Sequence, residues 1–208
     1  MTDNAGFWDG IADKYAARPI DDPDAYARKL RETQEVLRPH MRLVEFGCGT
    51  GGTALAHAPH VASVLGIDVS ERMLTHARQK AEAAGAANVT FRQGAIETAD
   101  LPDGSADAVL TMSLLHLLPD RPAALARIHR LLAPGGLYVS STVCLGDKLG
   151  FLKPLLWAMK LLGKAPPTVS FLREDVLLAE IRAAGFAVER HWRPKPRSAT
   201  FVIARKAH

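Results

Sequence analysis

Along the chain, short apolar runs alternate with longer segments in which apolar residues recur every three or four positions. The runs cover residues 43–46, 64–67, 89–92, 108–111 and 137–143. They are too short for helices, and the last is rich in β-branched residues, so all five predict strands. The segments between them carry helix punctuation. Ser70 is placed to cap a helix running through Met73, Leu74 and Ala77, with Gly85 able to take the left-handed turn that ends it. Asp120 is placed to cap the next, with Pro122 in its first turn and Leu125, Ile128, Leu131 and Leu132 on one face, and Pro134-Gly135-Gly136 is expected to stop it. A closing helix runs from near Arg173 to Gly185. After it, two alternating stretches, 187–192 and 200–204, flank a turn at Pro194 to Arg197 and predict an antiparallel hairpin. Strands alternating with helices predict an α/β fold, a doubly wound, seven-stranded and mostly parallel sheet closed by that C-terminal hairpin. Asp21, Asp22 and Pro23 mark a loop between two N-terminal helices.

Composition narrows the class. With 208 residues, 48% hydrophobic and 23% charged, residues 1–208 are expected to form one domain with a real core, and a disordered chain is excluded. Residues 1–13 are interrupted by Asp3, Asp9 and Asp13 and do not read as a signal peptide. The greasiest stretch, 149–162, is broken by Lys153, Pro154 and Lys160 and falls short of the roughly 20 apolar residues of a membrane span. Two cysteines, Cys48 and Cys144, favour a reducing compartment, so a cytoplasmic location is expected. The net charge is +4, but residues 146–208 hold twelve basic and five acidic side chains. That excess fits either an anionic partner or a solvated basic surface.

The densest chemical signal is Leu43-Val-Glu-Phe-Gly-Cys-Gly-Thr-Gly-Gly52, an apolar run leading into a glycine-rich turn and then a helix. Glycines there let the chain turn tightly and let a ligand approach backbone amides at a helix start. The next strand ends in Asp68, about 20 residues on, where a carboxylate can accept from ribose hydroxyls. The pair points to adenosine without naming the cofactor. Gly47, Gly49 and Gly52 also satisfy the dinucleotide spacing, so a nicotinamide or flavin oxidoreductase fits these residues too.

The order of further landmarks is more specific. Glu45-Phe-Gly-Cys-Gly-Thr-Gly, Gly66-Ile-Asp-Val-Ser, Asp100-Leu-Pro-Asp-Gly-Ser-Ala-Asp107 and Leu131-Leu-Ala-Pro-Gly-Gly-Leu resemble the successive motifs of class I S-adenosylmethionine-dependent methyltransferases. The resemblance runs from about Phe7 to Gly136 and, more loosely, through the last helix and hairpin. It implies a Rossmann-like sheet, S-adenosylmethionine as cofactor and methyl transfer as activity. Glu45 and the backbone of Gly47, Cys48, Gly49 and Gly51 would hold the amino-acid end of the cofactor, and Asp68 the ribose. Val69 and Met73 would line the adenine pocket, with Met112 beside the cofactor. An aspartate often stands where Ala95 does, so adenine would be met by backbone groups of Ala95 and Ile96. Phe7 to Tyr15 resembles the lid helix of small-molecule members, within N-terminal lid helices spanning 1–38. Tyr15 would contact the cofactor and Trp8 form a wall; either ring serves equally well as a pin to the core.

For the chemistry, His116 follows the fourth strand and is the candidate general base and substrate contact, since imidazole can take a proton near neutral pH. A histidine fixed by the backbone, or packed against the cofactor, fits the same position. Segment 146–171 is read as a variable substrate-lid insertion in which Lys153, Lys160 and Lys164 form a stripe beside greasy residues, Trp157 being a further substrate candidate. A lid packed over the active site and an amphipathic element making weak membrane-surface contact both fit it. The acceptor expected is a small, apolar or aromatic molecule, with lipophilic ones included. An RNA acceptor is the alternative raised by the basic C-terminal third, but no aromatic-basic stacking platform and no Asn-Pro-Pro-Tyr-like motif accompanies it. His57 and His60 are spaced like ligands, yet no carboxylate or cysteine completes a metal site, so no metal is expected.

Overall fold

The computed structural model describes residues 2–147, 168–195 and 198–207, with side chains from Ala5 onward. Seven strands occur among them: β1 (Arg42–Phe46), β2 (Ser63–Asp68), β3 (Val89–Gln93), β4 (Ala106–Met112), β5 (Leu132–Val143), β6 (Phe186–Trp192) and β7 (Ala199–Lys206). They form one sheet in the order β3-β2-β1-β4-β5-β7-β6. The first five are parallel, while β7 runs antiparallel to both β5 and β6. Strand order reverses between β1 and β4, and in open sheets of this kind the crevice beyond the strands' carboxyl ends at that point is where ligands bind.

The helices are α1 (Thr2–Ala16), α2 (Pro23–Val36), α3 (Gly52–His57), α4 (Glu71–Ala83), α5 (Arg121–Leu131) and α6 (Glu174–Ala183). Alternation along β1 feeds two apolar clusters, one on each face of the sheet. Val44 and Phe46 join the cluster under α5 and α6; Leu43 joins the one under α3, with Leu110, Val139 and Phe201. Glu45 shares the Leu43 face and is buried there. Ser70 and Asp120 cap α4 and α5 as their sequence positions predict, accepting from the amides of Met73 (3.1 Å) and Ala123 (2.9 Å).

One expectation needs correction. Leu132 does not lie on a helix face: it is extended (φ −73°, ψ 136°) and already pairs with Ala106 in β5. Pro134-Gly135-Gly136 lies inside the strand as an irregularity, because the register passes from Ala106↔Leu132 to Ala108↔Leu137. A proline without an amide proton and a glycine at φ 71° suit a bulge as well as a helix stop. Several basic residues of the C-terminal third are paired within the chain. Arg190 pairs with Glu32 and Glu35, Arg193 with Glu174, Lys195 with Asp22 and Arg205 with Glu189. Lys206 donates to the carbonyl of Leu132. Residues 148–167, which carry the lysine stripe and Trp157, lie outside the described residues. No described helix is long and apolar enough to cross a membrane.

Candidate active site

The glycine turn after β1 is shaped by backbone geometry. Gly47, Gly49 and Gly51 all have positive φ (67°, 51° and 76°), which side chains on an L-residue resist. Their roles differ. A Cβ on Gly51 would come within 2.9 Å of Ala77 and Phe91, so this glycine allows α4 and β3 to pack against the turn and borders neither cavity described below. A Cβ on Gly49 would meet only Tyr15, at 3.9 Å, which leaves its backbone open to a ligand. The amides of Gly47 and Cys48 both donate to the Ile67 carbonyl, tying the turn to β2.

Two buried carboxylates flank this turn. Asp68 accepts from the amides of Gly49 (2.8 Å) and Ser70 (2.9 Å), and burial raises its pKa against the pull of those amides. Both oxygens are therefore oriented by backbone, with lone pairs left for further donors. Glu45 accepts from the Ala54 amide in the first turn of α3, while its Oε2 is buried with no hydrogen-bond partner among the described residues. Burial, reinforced by the charge of Asp68, pushes the Glu45 pKa up to about 8. An orphaned buried oxygen of this kind is destabilising unless a ligand supplies a donor.

Two cavities meet at Tyr15 and share Gly47, Gly49, Met112, Ser113 and Val143. The first, about 360 Å³, is largely apolar. Asp68, Val69, Met73, Ala95 and Ile96 line it, as do Trp8, His116, Leu117, Leu118, Leu145 and Val169. The second, about 650 Å³, is more polar and includes Glu45, Cys48, Tyr26, Lys29, Lys80 and Ser141. All the residues singled out for cofactor contact except Gly51 thus border one cavity or the other, and Trp157 falls outside the described residues. The Cys48 thiol lies within 3.0 Å of where a Gly66 Cβ would stand, and burial raises its pKa, so it is a packing group with no thiolate character. His116 is half-buried; its Nδ1 has no partner among the described residues, and burial lowers its pKa to about 4. The imidazole is neutral at physiological pH, but a weaker base than the sequence alone suggests.

Three features were not legible from the residues. Ser113, at the end of β4, has φ 59°, an uncommon backbone state for serine, and donates its amide to Ser141 (2.7 Å). Asp9 of α1 accepts from Ser70 Oγ (2.6 Å) and the Arg72 amide (3.1 Å), and Asp13 pairs with Arg72 and with His76 Nε2 (2.9 Å). These aspartates clamp α1 over α4, which brings Trp8 and Tyr15 edge to face across the cavity mouth. The end of the 146–171 segment also closes on the site: Thr168 Oγ1 donates to the Leu117 carbonyl (2.6 Å) and the Ser170 amide to that of His116 (2.9 Å). Among the described residues no cluster of three metal-ligating side chains occurs, and His57 is fully buried with both ring nitrogens unpartnered.

Comparison with known proteins places this architecture. Residues 43–136 match the family model for a methyltransferase domain. Over 192 residues the chain is 31% identical to the demethylmenaquinone methyltransferase of Geobacillus kaustophilus, covering 78% of this chain and 80% of that protein. It is 32% identical over 102 residues to YcgJ, an uncharacterized methyltransferase of Bacillus subtilis, the match covering 49% of this chain and 40% of that protein. The chain thus spans less than half the length of that relative. In fold it is similar to the geranyl diphosphate C-methyltransferase of Streptomyces coelicolor, with a TM-score of 0.77 at 16% identity over 99% of this chain and 97% of that one. The chain belongs to the class I S-adenosylmethionine-dependent methyltransferases.

Proposed function

We propose that this protein transfers the methyl group of S-adenosylmethionine to a small, mainly apolar acceptor. The observation that carries the reading is the buried carboxylate pair at the glycine turn, Glu45 with an oxygen lacking any donor and Asp68 held by two amides at the cavity wall. These residues fit the cofactor's own donors: Glu45 suits a cationic amino group, Asp68 the ribose hydroxyls, and Gly49 the close approach of a ligand to backbone. Val69, Met73, Ala95 and Ile96 supply the apolar walls for adenine. When bound, the cofactor supplies an electrophilic methyl group on a sulfonium sulfur. The chain's own contribution is to orient the acceptor and keep water out. Trp8, Leu117, Leu118, Leu145 and Val169 give that part of the first cavity an apolar surface, with α1 as its lid and residues 168–170, bonded to Leu117 and His116, at its edge.

His116 borders the acceptor side, and a pKa near 4 makes it a poor proton acceptor at pH 7. It positions the acceptor through its unpartnered nitrogen, and an acceptor oxygen or thiol that ionises readily suits this site best. The Geobacillus relative is named for a quinone-type substrate, in line with an apolar cavity of this size. The pairing of Arg190, Arg193 and Arg205 with the chain's own carboxylates supports a small molecule over RNA.

Calorimetric titration with S-adenosylmethionine and S-adenosylhomocysteine, with NAD as comparison, tests the reading. The expected result is saturable binding of both sulfur nucleotides, weakened at least ~10-fold in Asp68→Ala because charge-assisted hydrogen bonds of about 1.5–3 kcal/mol are lost. Stabilisation by NAD and not by S-adenosylhomocysteine would reverse it.

A further inference from the structure

His116 stands in a short turn, Leu115–Leu117, whose backbone is pinned from outside. The Ser170 amide (2.9 Å) and hydroxyl (3.1 Å) both donate to the His116 carbonyl, and Thr168 Oγ1 donates to that of Leu117. Ser170 Oγ in turn accepts from Arg121 (3.4 Å), whose guanidinium is forked onto both oxygens of Glu180 at 2.8 Å. Arg121 begins α5 and Glu180 lies in α6. The root of the imidazole is therefore set by two helices, and its position is fixed before any acceptor arrives.

The ring itself makes no hydrogen bond with the described residues, and its two nitrogens differ in access. Nδ1 is sealed from solvent with no partner, whereas Nε2 is not sealed in this way and is the nitrogen that His116 can offer to the first cavity. Burial keeps the ring neutral at pH 7, so it carries one N–H. In folded chains an orphaned buried N–H is rarer than an under-used lone pair, which places the proton on Nε2 and the lone pair on Nδ1. The lone pair that a general base needs then lies on the nitrogen the acceptor cannot reach. Among the described residues bordering this cavity there is no lysine or arginine, and its carboxylates are Asp68 and Glu97. An oxygen entering beside Leu117, Leu118, Leu145 and Val169 meets an uncharged donor.

We infer that His116 is a specificity-determining hydrogen-bond donor, acting from Nε2–H, which selects acceptors that carry a carbonyl or hydroxyl oxygen on an apolar ring. The inference deepens the methyltransferase reading and rests on it. It agrees with an acceptor that ionises readily, because a fixed donor facing an oxygen steadies negative charge developing there.

The first measurement is the imidazole ¹H–¹⁵N spectrum of the ligand-free protein at pH 7, in which His116 is expected to show a protonated Nε2 and an unprotonated Nδ1; the reverse tautomer overturns the inference. The second is equilibrium dialysis on protein saturated with S-adenosylhomocysteine, comparing 1-acetonaphthone, 1-ethylnaphthalene and 1-naphthoate. Wild type is expected to bind the ketone ~3–10-fold tighter than the hydrocarbon, the size of one neutral hydrogen bond, and no more weakly than the carboxylate. His116→Phe should erase the ketone preference. His116→Gln, which keeps a neutral donor and has no basic nitrogen, should retain it. No ketone preference in wild type, a preference that survives in His116→Phe, tighter binding of 1-naphthoate than of the ketone, or binding of none of the three overturns the inference. Failure of wild type to bind S-adenosylhomocysteine would overturn the methyltransferase reading and this inference with it. The tautomer is read without the cofactor, so the two failures are distinguishable.

Discussion

On the glycine-turn wall of the cleft, positions are set by backbone and burial: three glycines at positive φ, Asp68 clamped by two amides, and Glu45 sunk beneath α3 with one oxygen unmet. On the opposite wall, α1 is held to α4 by side chains near the surface, Asp9 on Ser70 and Asp13 on Arg72 and His76. The first wall is rigid and gives up native-state stability to keep a binding group ready. The second is held by interactions of the kind that contribute only about 0–1 kcal/mol each when exposed, so it can open without unfolding the sheet. The difference separates the residues that determine affinity from those that determine exchange.

Glu45→Gln breaks the first wall's bargain and has the largest expected effect. The Glu45 pKa rises from 4.5 to about 8 on folding, so the unfolded chain releases this proton first and the destabilisation grows as pH climbs between those values. At about 1.4 kcal/mol per pKa unit, the amide should stabilise the cofactor-free protein at pH 8 by a few kcal/mol, several degrees in Tm. The same change removes the anionic partner for a cationic amino group and should weaken S-adenosylhomocysteine binding by ~10–100-fold. A variant both less stable at pH 8 and unchanged in affinity would show that Glu45 is an ordinary core group.

Acid sharpens the comparison from the other direction. His57 and His116 both fall from 6.5 to about 4 through burial, so the folded state resists protonation that the unfolded chain accepts. Their contribution is present above pH 6.5 and is lost as pH falls toward 4, in the window where Glu45 acts with opposite sign. Three histidines lowered by burial, His129 being the third, act there against the two raised carboxylates Glu45 and Asp68, and of these groups Glu45 goes on titrating above pH 6.5. The Tm of the cofactor-free protein should therefore peak near pH 6.5 and decline on both sides. The α1 clamp behaves differently: its hydrogen bond from His76 and the charge of Arg72 hold the Asp13 pKa below the usual carboxylate value, so that pair persists until the pH is more acidic still. A thermal scan from pH 4 to 9, on wild type and Glu45→Gln, checks both limbs; a Tm that is flat across pH 4–6.5 would contradict the assignment of the buried histidines.

How much of this could be read beforehand follows the range of the interactions. Strand positions, the caps at Ser70 and Asp120, and the stops at Gly85 and Gly185 depend on neighbours within a few residues, and local pattern shows them. The glycine turn and Asp68 were legible because their spacing is itself the chemical signal. Leu132 was misplaced because helical periodicity continued one residue past the point where pairing with Ala106 took over. The Asp9–Ser70 bond spans 61 residues, the Lys29–Ser141 bond 112 and the Arg190–Glu35 pair 155, and no periodicity in one chain encodes such partners. The weak basicity of His116 was hidden for the same reason, since it is set by what folds around the ring.

The smallest effect, and the one that tests the second wall alone, is expected of Asp9→Ala. Ser70 would keep capping α4 through its hydroxyl and keep its amide on Asp68, so that carboxylate stays oriented. The two bonds that draw α1 onto that cap, from the Ser70 hydroxyl and the Arg72 amide, are lost. Release of S-adenosylhomocysteine, followed by stopped-flow fluorescence of Trp8, should accelerate ~3–10-fold, with association nearly unchanged, because a loosened lid acts mainly on escape. Raising salt should speed release from wild type by screening Asp13, Arg72 and His76, and should do so less once the clamp is cut. Equal release rates in the two proteins would mean that α1 is a fixed wall of the cleft and not a moving lid.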